Sequence, residues 1–246
     1  MPSFLKTVLS FGVIAGAYVG AKGVLFGLLA ATAPSPSELV DAQLSRAPYG
    51  AVHQSMRTHF PIEAAQVRLA MIDAVRDGAP NDARRAALAA TIRAIHARLA
   101  DYLRAASDAE IVALIDDRLA MLAPFAEDDA TCSAIIMRGM VAISADDPRI
   151  PVALLAEAAE RLYSTIGRYA MRIGTQYATD ADYDALGAAL ADAGVGAEEL
   201  TLLQSEDPQA TGVCAPFIDV LTVLRDADFD GARRVRAETM VALAEG

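Results

Sequence analysis

The stretch VALLAEAAERLYSTIGRYAMRI, residues 152–173, decides the fold class. Val152, Leu155, Ala159, Leu162, Ile166, Tyr169 and Ile173 recur at alternating steps of three and four, which gathers them on one face of a helix. The pattern predicts the longest helix of the chain. The same rhythm appears on both sides of it. Leu88, Ile92, Ile95, Leu99 and Tyr102 form a narrow heptad-like seam, opened by Asn81 as a candidate cap. Ser107 with Glu110 spells a capping box ahead of Ile111, Leu114, Ile115, Leu119 and Leu122, and Pro124 ends that run. Cys132, Ile135, Ile136, Met140 and Ile143 mark a further helix.

Shorter elements follow the same logic. Ser35 caps a helix to about Ala47, with Pro36 at its first position and Glu38 closing the box. Pro61 opens a helix carrying Ile62, Ala65, Leu69 and Ile72, which Gly78 stops. Asp180 to Asp192 is ended by Gly194, Phe217 to Leu224 is the penultimate helix, and Val235 to Leu243 is the last. No stretch alternates apolar and polar residues for long enough to make a strand. The fold class expected is therefore all-α: a bundle-like domain of seven to nine helices behind an N-terminal transmembrane helix. No fixed repeat of 20–50 residues is present, which argues against a helical-repeat array.

The amino-terminal stretch Thr7 to Ala33 has 27 residues and one charge, Lys22. A bilayer core about 30 Å thick needs about 20 helical residues, so this stretch is long enough to span. Lys6 precedes it, and Glu38, Asp41 and a strongly acidic remainder follow it. The positive-inside rule then places the amino terminus in the cytoplasm and the bulk outside. Residues 1–33 are read as a signal anchor, 34–37 as a linker and 38–246 as an exported acidic helical domain. A cleaved signal peptide with its cut before Lys22 is the rival, but the apolar run resumes from Gly23 to Ala33. Lys22 itself either snorkels or pairs with a carboxylate or headgroup.

Five of the 16 glycines fall here: Gly12, Gly16, Gly20, Gly23 and Gly27. Their steps of four, four, three and four hold them within about 80° of arc on a helix. Small residues on one face let another helix backbone approach closely, so the spacing suggests association with itself or with another membrane protein. Chance in a glycine-rich membrane helix is the plain alternative.

The net charge of −11 argues against nucleic acid as a partner, since tracking a phosphate backbone needs clustered Lys and Arg. The partners expected are membrane lipid and a membrane protein. The general plan resembles many bacterial membrane-anchored helical proteins, a likeness of architecture that implies no activity. It places the chain in a bacterial inner membrane, single-pass, with the carboxy-terminal domain in the periplasm. Cys132 and Cys214 are the only cysteines, 82 positions apart. An exported domain favours their pairing as a disulfide, against two buried free thiols.

The motif richest in chemistry is Asp226-Ala-Asp228-Phe-Asp230-Gly231. Alternating Asp followed by Gly resembles the calcium loop of the EF-hand family over about a dozen residues. The resemblance implies Asp226, Asp228 and Asp230 as metal ligands and calcium as the one conceivable cofactor. The twelfth position is Ala237 instead of the bidentate Glu, and Arg233, Arg234 and Arg236 crowd the loop. A helix–helix turn with Asp230 near an N-cap is the plainer reading. His53, His59 and His96 match no metal signature and read as surface or boundary histidines. Arg161, Arg168 and Arg172 are expected to pair internally in so acidic a chain. No hydrolase elbow, nucleotide loop or zinc-deaminase pattern occurs, and no catalytic residue is assigned. The reading is a non-enzymatic assembly or interaction protein. The alternatives are a tethered enzyme or ligand-binding domain whose site is assembled from distant residues, or a secreted helical domain after signal-peptide cleavage.

Overall fold

Local caps set where the helices begin. In a computed structural model, which describes residues 34–45, 49–78, 80–139, 142–143, 147–170, 172, 176–205, 207 and 209–245, both expected capping boxes form. Glu38 accepts the Ser35 backbone N–H at 2.7 Å, and Glu110 accepts that of Ser107 at 2.8 Å. A third box joins Thr179 and Asp182 at the start of the Asp180 run.

The described residues form eleven α-helices and no strand. These are α1 (Pro36–Leu44), α2 (Tyr49–His59), α3 (Pro61–Arg76), α4 (Asn81–Leu99), α5 (Asp108–Leu122), α6 (Asp129–Arg138), α7 (Val152–Tyr169), α8 (Asp180–Asp192), α9 (Ala197–Leu202), α10 (Cys214–Asp226) and α11 (Ala232–Glu245). Two 3-10 turns, Ala100–Ala105 and Ala123–Phe125, follow α4 and α5. The all-helical expectation holds, while the eleven helices exceed the expected seven to nine by at least two. The additions are α2, whose polar Tyr49–His59 sequence carries little apolar rhythm, and the six-residue α9.

Other boundaries shift for local reasons. The linker expected at 34–37 is entered by α1 at Pro36. Helix α4 begins at Asn81 itself and is, at 19 residues, one longer than α7. Helix α6 stops at Arg138 because Gly139 turns to φ 76°, so Ile143 lies beyond it. Among the described residues no helix is long and apolar enough to cross a membrane. The anchor expected at 1–33, with Gly12, Gly16, Gly20, Gly23 and Gly27, lies outside the described residues.

Helix α5 lies at the centre, packed against α7, α10 and α11. Ile111, Leu114, Ile115 and Leu122 are each under 5% exposed, as their one-face spacing requires. The last helix, α11, closes the body by meeting α4, α5, α8, α10 and the first 3-10 turn. Helices α1 to α4 pack on one another, α2 rests on α7, and α4 also meets α11. That α2–α7 contact depends on Gly167: a Cβ there would come within 2.4 Å of the His59 ring.

Candidate functional site

Four helices line a small, partly open cavity of about 50 Å³, contributed by His96 of α4, Leu114, Asp117 and Arg118 of α5, Leu155 of α7 and Met240 of α11, among others. The walls are apolar apart from His96, Asp117 and Arg118. Each ionisable group has a distinct environment, set by where its helix face points.

His96 sits on the inner side of α4, next to the seam residue Ile95, and is 1% exposed. Its Nε2 lies 2.9 Å from the Tyr163 hydroxyl of α7, and the two rings meet edge to face with centroids 5.4 Å apart. Its Nδ1 has no hydrogen-bond partner. Burial, reinforced by the nearby Arg118 charge, pushes the His96 pKa down to about 4, so the ring is neutral at physiological pH. The expectation of a satisfied surface or boundary histidine is therefore corrected. Position 96 lies beside the seam, and the buried face of α4 is broad enough to take it in.

Arg118 is half-buried, with one hydrogen bond, from Nη2 to the Leu243 carbonyl at 3.5 Å. No ion pair holds it among the described residues, and burial pushes its pKa down to about 10. Asp117 accepts from Arg161 Nε at 2.8 Å, and burial nonetheless raises its pKa. The arginines expected on α7 do pair internally: Arg161 with Asp117, and Arg168 with Glu110 at 2.9 Å. Arg172 instead lies over the Tyr169 ring, 5.0 Å from its centroid.

The Asp226–Gly231 turn is backed by an arginine of α11. Arg236 of α11, 5% exposed, reaches back beneath it and donates to the carbonyls of Leu224 at 2.6 Å, Arg225 at 3.2 Å and Ala227. It also donates to both oxygens of Asp108 at 2.7 and 2.9 Å. The guanidinium thus occupies the carbonyls at the end of α10 and ties them to the start of α5. Asp226 is held by Arg225 at 2.7 Å, while Asp228 and Asp230 are exposed. Gly231 is needed at φ 93°, and a Cβ there would strike the Asp182 carboxylate. That carboxylate is clasped by Arg234 at 2.7 and 2.8 Å. Among the described residues no three His, Cys, Asp or Glu side chains stand close enough to hold a metal ion.

Replacing Arg236 with Ala is expected to destabilise the protein by about 3 kcal/mol, since three carbonyls and a carboxylate lose their donor. Arg236→Lys is expected to recover less than half of this, because an ammonium cannot serve the same fork. Urea unfolding monitored by circular dichroism measures both. A loss below about 1 kcal/mol in the Ala variant would show that solvent replaces the guanidinium.

Cys132 and Cys214 form a disulfide with Cα atoms 5.5 Å apart, joining α6 to α10 in the core. Two further bonds hold the same junction: Gly212 N–H donates to Asp129 at 2.7 Å, and Val213 N–H to Ser133 Oγ at 3.2 Å. Of the histidines, His53 is half-buried and His59 lies against Gly167, both away from the cavity lining. That His96 of α4 and Arg118 of α5 line one cavity has little signal in the sequence. The one local signal is an Arg adjoining an acidic pair, Asp116-Asp117-Arg118, within an apolar stretch of α5. No family model, curated protein or solved structure matches the chain.

Proposed function

We propose that the protein is a membrane-anchored helical interaction module whose acidic body works in an oxidising compartment outside the cytoplasm. The carrying observation is the buried Cys132–Cys214 disulfide, since such bonds persist where thiols are not kept reduced. It is supported by the 27-residue stretch from Thr7 to Ala33, which carries one charge and stands two residues before α1. Leu39 of α1 and Ile62 and Leu69 of α3 are exposed apolar residues on the helices that follow that stretch, where they can meet lipid. Partner binding is assigned to the glycine face of the anchor: the module associates with itself or with another membrane protein there. The compartment proposed is the periplasm of a bacterium, with the amino terminus inside.

Replacing Gly16 and Gly20 together by Leu is the direct test. Cross-linking in native membranes is expected to show at least a several-fold loss of the associated species, with expression and membrane localisation unchanged. Equal cross-linking in the variant and the parent would reject the glycine face as the contact. A ligand-binding role for the body is the second reading, favoured by the ionisable groups that converge on the α4–α5–α7–α11 cavity.

A further inference from the structure

We propose that the α4–α5–α7–α11 cavity binds an alkyl carboxylate, its oxygens held by the Arg118 guanidinium and the His96 Nδ1–H and its chain lying on the apolar walls.

Two features on different helices point the same way. Arg118 brings a full positive charge to an apolar wall, yet its one hydrogen bond is 3.5 Å long and no ion pair holds it among the described residues. A half-buried guanidinium left in that state is costly, and its depressed pKa records the cost. His96 supplies the second donor. Tyr163 finds its one hydrogen-bond partner in His96 Nε2. If Nε2 carried the imidazole proton, both the buried Tyr hydroxyl hydrogen and the Nδ1 lone pair would lack partners. With Tyr163 donating to Nε2, a single group is left over, the Nδ1–H. A cation and a neutral N–H donor among the residues that line one cavity, both short of acceptors, fit an anionic acceptor with two oxygens.

The rest of the lining selects the tail. Leu114, Leu155 and Met240 offer no polar atom to a sugar, a phosphate ester or an amino group. Asp117 also lines the wall, but its carboxylate is held by Arg161, which leaves Arg118 without that counter-ion. A volume of about 50 Å³ suits a headgroup and a short chain, and the cavity is partly open. The ligand is thus either a free short-chain acid or the head of a fatty acid whose tail extends outward.

Calorimetric titration of the detergent-solubilised full-length chain with sodium butyrate tests the proposal, with butanol and butylammonium chloride as controls at matched ionic strength. Saturable binding of butyrate with Kd on the order of 1 mM or tighter is expected, with at least tenfold weaker uptake of both controls. Arg118→Met is expected to weaken butyrate binding at least tenfold, and Arg118→Lys to keep part of it. His96→Gln is expected to weaken it less than Arg118→Met. A series from acetate to octanoate separates the two sources: affinity that levels off by about four carbons marks a free short acid, and affinity that keeps rising marks a fatty acid. No saturable butyrate binding to the parent chain would overturn the proposal, because it would mean water or the protein's own groups satisfy Arg118. Butyrate binding that is equal in Arg118→Met and Arg118→Lys to that of the parent would overturn it as well.

Discussion

Removing the Cys132–Cys214 bridge is expected to cost about 4–5 kcal/mol, the chain-entropy value for closing a loop of this length. For a body of this size that lowers the melting temperature by on the order of 10–15 °C. Reduction of the parent protein and the double Cys→Ala variant provide two routes to the same state. Alanine is the better replacement, since Cys132 and Cys214 are 0% and 2% exposed and serine would bury two hydroxyls. The two routes are expected to agree, and to leave the helical circular dichroism signal largely intact well below the transition. The bonds from Gly212 to Asp129 and from Val213 to Ser133 keep α10 seated on α6 without the bridge. Melting unchanged by reductant would show that the native protein holds two thiols.

The second large effect is a loss of stability in mild acid, set by His96. Its pKa is about 4 in the fold, against an ordinary value of 6.5 in the unfolded chain. Between those values the unfolded state binds a proton that the folded state refuses, so stability falls as pH drops. The His96 contribution is fully present above about pH 6.5 and is lost progressively down to about pH 4, by roughly 3 kcal/mol. Carboxylates act in a separate window. Asp182, held far below its usual range by Arg234, and Asp128, lowered to about 2 by Thr131 and Arg149, lose their contributions only below about pH 4. Asp117 has the opposite sign, since burial raises its pKa. Urea unfolding from pH 8 to pH 4 measures the slope. His96→Gln, which keeps an acceptor for Tyr163, is expected to flatten it. An equally steep slope in His96→Gln would mean that other groups carry the acid sensitivity.

How much could be read beforehand follows from the range over which each feature is decided. Capping boxes are decided within four residues, so Ser35–Glu38 and Ser107–Glu110 were legible. Apolar periodicity is decided within two or three turns, which made α4, α5 and α7 visible and hid α2, whose burial against α7 depends on a distant glycine, Gly167. The disulfide was legible because two cysteines allow one pairing. The Asp226–Gly231 turn was legible as a turn, but its purpose was not. Arg236 stands ten residues past Asp226, and only the chain reversal brings it beneath the α10 carbonyls. The cavity was the least legible feature. His96 and Arg118 are 22 positions apart, and nothing local marks two polar residues as neighbours when each lies beside an apolar face.

The anchored, oxidised state is the claim on which location and partner both depend, and one measurement reaches it directly. Cells are quenched in acid, the full-length chain is recovered from carbonate-washed membranes, and Cys132 and Cys214 are probed with a thiol alkylating agent after denaturation without reductant. Full-length chain is expected in the membrane pellet, with both cysteines unreactive until reductant is added. Full-length chain in the soluble fraction with both cysteines promptly alkylated would contradict it.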